Sequence, residues 1–200
     1  MARYPDLIET LARLDGRPFP SIDTYARFLR SGGYLSETRR GNTSTRVTAN
    51  DACNLLLGTL TTESPTAAPR VVETFRGLVR LPAPPAKDLP RTLGLLIQLP
   101  NFAEFLAGAI DYARPLRNEL GEFGFELQVS RSVPAAGLML RDPLGRRRRI
   151  AEWVVDVRRH GAGVGLPEAE GGADRRLIAS ITHRTIFALG DLLEREEISA

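Results

Sequence analysis

The side chains in this sequence whose types and spacing best suit a chemical task lie between Pro20 and Thr48, PSIDTYARFLRSGGYLSETRRGNTSTRVT. Asp23, Thr24, Arg27 and Arg30 are the polar members of a short helical pattern that Gly32-Gly33 ends. A turn-prone stretch, Arg39-Arg40-Gly41-Asn42, follows, and then Arg46. Guanidinium groups on an extended loop beside a polar helix face can hold phosphate oxygens and reach base edges. Charge is concentrated in this region. From Arg13 to Arg46 seven Arg face three acids (Asp15, Asp23 and Glu37), a local excess of +4 in a chain whose net charge is +3. The remainder of the chain is therefore close to neutral.

The other constellations point to less. Arg146-Arg147-Arg148-Arg149 is the longest charge run, and either a second phosphate stripe or a strand edge blunted by charge would account for it. Alternate residues of a strand face opposite sides, so only half of the run could meet one ligand, which favours the blunted edge. Gly161-Ala162-Gly163-Val164-Gly165 follows a strand pattern, but Leu166-Pro167 and an acidic run come next where a phosphate-binding turn needs a helix. The segment reads as a loop. His160, His183 and Cys53 have no metal-ligand spacing, and Cys53 falls among the apolar positions of a helix. His160 with Glu168 or Glu170 could exchange protons, but no nucleophile accompanies them. The expectation is a protein without catalytic residues, metal or cofactor.

With 42% hydrophobic and 26% charged residues, the 200-residue chain has the composition of a folded globular protein. Its longest apolar runs, such as Leu93–Leu99, are too short for a bilayer span, and its first ten residues carry no apolar leader. A single cysteine fits a reducing compartment. Together these indicate a cytoplasmic protein without a membrane partner. Lys87 is the only lysine, so arginine supplies nearly all the positive charge, and isolated arginines carry little information.

The elements that must position the basic stretch can be read from periodicity. Leu7, Ile8, Leu11 and Leu14 make one stripe of a helix over Pro5–Leu14, stopped by Gly16. A second helix is expected from about Ile22 to Ser31, capped by Ser21, with Ile22, Tyr25, Phe28 and Leu29 inward. YLSET and STRVT read as short extended runs. Thr48, with Asp51 three residues on, opens a third helix to about Thr61, with Ala52, Leu55, Leu56 and Leu60 on its apolar face. A fourth is expected from Ser64-Pro65 to about Leu81. Four prolines in Leu81–Pro90 mark a boundary. Beyond it, Leu93–Leu99 is of open type, and Asn101 caps a helix to Tyr112, or with a kink at Pro115 to Leu120. Alternation then indicates strands at Phe125–Val129, Gly137–Arg141, Arg149–Val157 and Arg176–Thr182, and a closing helix over Thr185–Glu196. Strand Arg149–Val157, apolar on both faces around Trp153, is expected to be central or to meet another subunit.

Ser21, Thr24, Leu29, Arg30 and Gly33, followed by Arg39, Arg40, Gly41 and Val47, resemble the recognition helix and wing of bacterial winged helix-turn-helix regulators over residues 5–48. That resemblance implies base-facing Ser21, Asp23, Thr24 and Arg27, and phosphate-facing Arg30, Arg39, Arg40 and Arg46, with Asn42 at the tip. The usual family member has three helices before the wing, and here only one precedes the reading helix. The run Arg40–Gly58 is also similar to N-terminal segments of uncharacterised proteins carried by proteobacterial prophages. The expected architecture is α+β: a winged-helix-like module at 1–81, a Pro-rich linker at 82–90, and a mainly antiparallel sheet domain with flanking helices at 91–200. The expected function is a double-stranded-DNA-binding regulator of a prophage or mobile element, acting as a homo-oligomer, a dimer by preference. The rivals are a small terminase-like packaging subunit and an adaptor without DNA contact.

Overall fold

A computed structural model describes residues 2–36, 46–82, 89–156 and 178–194. The described residues form eight α-helices and one five-stranded antiparallel sheet, an α+β arrangement. In chain order they are α1 (Tyr4–Asp15), α2 (Phe19–Ser31), α3 (Ala49–Thr61), α4 (Ala68–Arg76), β1 (Val79–Arg80), α5 (Arg91–Leu96), α6 (Phe102–Asp111), α7 (Ala113–Leu120), β2 (Gly124–Ser130), β3 (Ala135–Arg141), β4 (Arg147–Val154), β5 (Ile178–Thr182) and α8 (His183–Glu194). A single 3-10 turn, Pro65–Ala67, leads into α4. The strands lie in the order β1-β4-β3-β2-β5. No helix among the described residues is long and apolar enough to cross a membrane.

Local chemistry accounts for most boundaries. Gly16, in the left-handed region at φ 78°, closes α1 by donating its N–H to the Ala12 carbonyl. The third helix begins where Thr48 and Asp51 cap it reciprocally. Asn101 Oδ1 accepts from the Glu104 N–H at 2.9 Å and opens α6.

Some boundaries differ from expectation. Ser21 does not cap α2: the helix starts at Phe19, with Pro18 before it and Pro20 in its first turn. A proline there gives up an N–H that has no helical partner in any case, so it begins the helix instead of delaying it. Phe28 is an exposed residue, and Ala26 takes its place on the buried face beside Ile22, Tyr25 and Leu29. The fourth helix stops at Arg76, after which Leu78 returns to the core and Val79–Arg80 joins the sheet. The break between α6 and α7 falls at Tyr112 and leaves Pro115 in the first turn of α7. Two residues of the YLSET run and two of the STRVT run, and the whole of the Gly161–Gly172 loop, lie outside the described residues, and Tyr34–Ser36 and Arg46–Thr48 belong to no strand.

Helix α3 is central. It is buried on nearly all sides, including Asp51, Asn54, Thr59 and Thr61, and packs against α2, α4, α6 and α8. The buried apolar side chains are continuous across segment 82–90. Cys53 of α3 sits with its Sγ 3.7 Å from the Ala103 carbonyl of α6, and complete burial pushes its thiol up to about 12. Trp153 of β4 is fully buried against Phe102 and Phe105 of α6, with ring centroids at 5.3 and 4.7 Å. A register shift at Leu138/Met139 bulges β4, so consecutive residues Ile150 and Ala151 are both buried. That bulge is the physical reason β4 reads as apolar on both faces.

Glycines set two close helix contacts. A Cβ on Gly58 of α3 would lie 2.9 Å from a methyl group of Leu29. A Cβ on Gly190 of α8 would lie 2.2 Å from the Ala113 Cβ and 2.8 Å from the Ile110 carbonyl oxygen. Neither the Ala113 methyl nor a helix carbonyl can swing aside, so Gly190→Ala must push α8 off α6 and α7. The expected cost is about 3 kcal/mol of unfolding free energy, read as a lower urea midpoint with an unchanged slope.

Candidate nucleic-acid interface

The centre of this region is a carboxylate. Asp51, in the first turn of α3, is only 2% exposed, and among the described residues its carboxylate is met by hydrogen-bond donors from three sides. Its Oδ2 accepts from the Thr48 N–H at 2.9 Å and the Thr48 hydroxyl at 2.7 Å. Its Oδ1 accepts from the Ser36 N–H at 2.8 Å and the Tyr4 hydroxyl at 2.9 Å, and the Ser36 hydroxyl lies 3.1 Å from both oxygens. Burial by itself would raise the carboxyl pKa, but the hydrogen bonds from Ser36, Thr48 and Tyr4 outweigh it and hold Asp51 below the usual carboxylate range. The Tyr4 phenol responds in the opposite sense, raised by burial and by the adjacent Asp51 carboxylate.

These contacts place the basic stretch. Ser36 precedes segment 37–45 and Thr48 follows it closely, and both are tied to the one carboxylate. Both flanks are therefore held at one point, joined there by Tyr4 of α1, and the Val47 N–H donates to the carbonyl of Ala2, just before that helix, at 3.2 Å. Arg30 of α2 completes the cluster, with its guanidinium carbon 4.8 Å from the centroid of the Tyr4 ring. Its Nε is buried without a hydrogen-bond partner. Arg30 is thus a packing cation at the foot of the segment as much as a surface charge.

The nine residues singled out in the sequence meet different fates. Arg39, Arg40 and Asn42 lie outside the described residues. Ser21 is half-buried inside the first turn of α2, its N–H donating to the Pro18 carbonyl. The Thr24 hydroxyl turns back to the Pro20 carbonyl at 2.8 Å, and Asp23 pairs with Arg27 at 2.5 Å. Arg27 remains the most open of the α2 cations, with its side chain 74% exposed. Arg46 lines a cleft of about 200 Å³ with Asp111, Arg114, Gly190 and Glu194, two carboxylates and a second guanidinium, and is not a free cation. The fold thus gathers Arg30, Arg46 and both ends of segment 37–45 around α3, whereas Asp23, Thr24 and Arg27 lie along the outer stripe of α2.

The remaining candidates are engaged within the fold. Arg146, Arg147 and Arg149 pair with Asp142 at 2.6 Å, Glu126 at 3.2 Å and Glu152 at 3.1 Å. Strand β1 pairs with β4 at Trp153 and Val154, the Leu81 N–H extends the contact to the Glu152 carbonyl, and among the described residues no further strand lies beside the arginine end of β4, where charge opposes strand addition. His183 opens α8 and packs on Phe125 and Phe187, with burial lowering its pKa. His160, Glu168 and Glu170 lie outside the described residues. Among the described residues no group of His, Cys, Asp or Glu is placed to hold a metal ion. Sequence reasoning treated Asp51 as a helix cap only. Its Thr48–Asp51 spacing marks the cap, but nothing local marks Tyr4 and Ser36 as its further partners.

Comparison of the chain with protein-family models, with curated proteins and with solved structures returns no match.

Asp51→Asn would place an amide N–H₂ among groups that already donate. An unfolding cost of about 3 kcal/mol is expected at neutral pH. Because the folded pKa lies below the unfolded one, the carboxylate's contribution is complete above the unfolded value, near pH 4, and is lost as pH falls through the lowered folded value. Denaturant titrations of both proteins across this range should show the wild-type advantage shrinking only in acid.

Proposed function

We propose that this chain binds duplex DNA, with segment 37–45 as a basic arm laid on phosphates and the outer stripe of α2 as a secondary contact. The observation that supports this reading most is the common anchor of Ser36 and Thr48 on Asp51. It fixes both flanks of segment 37–45, which carries Arg39 and Arg40, in the region where the chain's positive charge is concentrated. A segment tethered at both flanks has less ordering entropy to lose on binding than a free one. Within α2, Arg27 is the more exposed cation, paired at the surface with Asp23, and the Thr24 hydroxyl is turned back to the Pro20 carbonyl, so the mode is mainly phosphate-directed, with limited base reading.

In this reading residues 1–81 act as a winged-helix-like module, with α2 as the reading helix and segment 37–45 in the place of the wing. The biological role proposed is transcriptional regulation of a prophage or mobile element, as a two-fold dimer matched to a palindromic site. A terminase-like packaging subunit would use the same arm in a ring, and particle mass in solution separates the two.

The deciding measurement is fluorescence anisotropy of a random duplex at several salt concentrations. Affinity should fall steeply with salt. Replacing Arg39 and Arg40 together by Ala should flatten the slope of log K against log salt by about 2, one phosphate contact for each arginine. Absence of any binding at low salt would remove DNA from the account and leave the adaptor reading.

A further inference from the structure

Helix α8 begins on a histidine that is built into the packing. His183 is the first residue of α8, directly after β5, and its ring stands over the start of β2. A Cβ on Gly124 would lie 2.7 Å from His183 Cε1, so glycine is what lets the ring come this close. The His183 Nδ1 lies 3.3 Å from both the backbone nitrogen and the carbonyl oxygen of Phe125. Its ring centroid is 5.9 Å from that of Phe125 and 5.4 Å from that of Phe187, one turn further along α8.

The charges that face this joint are positive. Arg184 follows on α8, Arg141 approaches from β3, and both act against a charged imidazole. From α7, the Arg117 guanidinium carbon lies 4.9 Å from the Phe187 centroid. Asp191 of α8 is taken up by Arg117 through contacts of 2.7 and 2.8 Å. On β2, Glu126 is on the opposite side of the strand from Phe125 and pairs with Arg147 at 3.2 Å. Glu122, in the corner before β2, is exposed, and β5 carries no charged residue. The first turn of α8 holds no acidic side chain to offset the positive end of the helix. The Phe125 carbonyl favours the charged ring, but burial and the two arginines outweigh it and hold His183 below the ordinary histidine range.

We propose that His183 is a pH-sensitive latch: its neutral ring docks α8 on β2, and its protonation loosens that helix from the body. A charged ring kept in place would stand among two aromatic rings and Arg141, whereas lifting the start of α8 returns it to water. Above about pH 6.5, the ordinary histidine value, the latch is fully closed. Below it the lifted helix takes up a proton that the docked one does not. The open fraction therefore rises by up to about tenfold per pH unit, until the docked ring itself titrates. Because α8 supplies Gly190, Leu193 and Glu194 to the cleft that Arg46 lines, the loosening reaches the flank of segment 37–45. Such a latch is a property beyond DNA binding, and its test needs no DNA.

The test is hydrogen–deuterium exchange of the full chain from about pH 8 to about pH 5, the range in which histidine titrates, with rates corrected for the intrinsic effect of pH. Peptides of α8 should lose about tenfold in protection on acidification, while those of the central helix α3 keep theirs. His183→Phe keeps an aromatic ring that cannot titrate, and its α8 should stay protected throughout. His160→Gln, at the other histidine of the chain, should respond as the wild type does. Arg184→Gln, at an exposed position, should weaken the response and raise the midpoint of the His183 ring in a proton NMR titration. Equal loss of protection in α3 and α8 would reduce the effect to whole-molecule stability and overturn the proposal. An unchanged acid response in His183→Phe would overturn it too. Should that variant fail to fold, the wild-type titration decides: a His183 midpoint at or above about 6.5 sinks the latch.

Discussion

A carboxylate removed from water must be compensated where it sits, and in this protein the compensation of Asp51 organises the N-terminal half. Its donors come from α1, from the residue entering segment 37–45 and from the residue leaving it. Placing those donors requires the first and third helices to meet and requires the intervening chain to close on itself. The charge could not be left in the core without them, because an unpaired buried carboxylate costs several kcal/mol. The same bonds that satisfy the ion thus fix where the arginine-bearing segment begins and ends.

From that point the packing spreads through α3. Because α3 is surrounded, it transmits the position of the anchor to α4 and α6, and through α6 to Trp153 and the sheet. Close approach is obtained with small residues, Gly58 against Leu29 and Gly190 against Ala113. The residues on either side of segment 37–45 are thereby fixed to that body.

Several features were legible from the sequence because their causes are local. The T-x-x-D cap of α3, the glycine stop of α1, the asparagine cap of α6 and the alternation of β2 each depend on a few neighbouring residues, and each stands where those residues place it. Where sequence reasoning misjudged, a non-local or positional effect was responsible. Pro20 reads as a barrier but occupies the one helical turn that tolerates it. Phe28 reads as core, but the neighbouring helices reach the Ala26 side of α2 instead. Ile150 and Ala151 confuse the strand pattern because a bulge turns both inward.

The sequence by itself determined the class of the protein, the placement of most helices and strands, and the concentration of arginine between Arg13 and Arg46, since composition, periodicity and capping act over a few residues. Tertiary structure alone decided which of those arginines remain available. Arg30 lies on Tyr4, Arg27 pairs with Asp23, and Arg46 lines a cleft with Asp111, Arg114 and Glu194; outside that stretch, Arg146, Arg147 and Arg149 face carboxylates of their own chain. Tertiary structure alone also joined Tyr4, Ser36 and Asp51, residues up to 47 positions apart. Such meetings depend on how helices and strands pack, and the spacing of residues along one element carries no record of it.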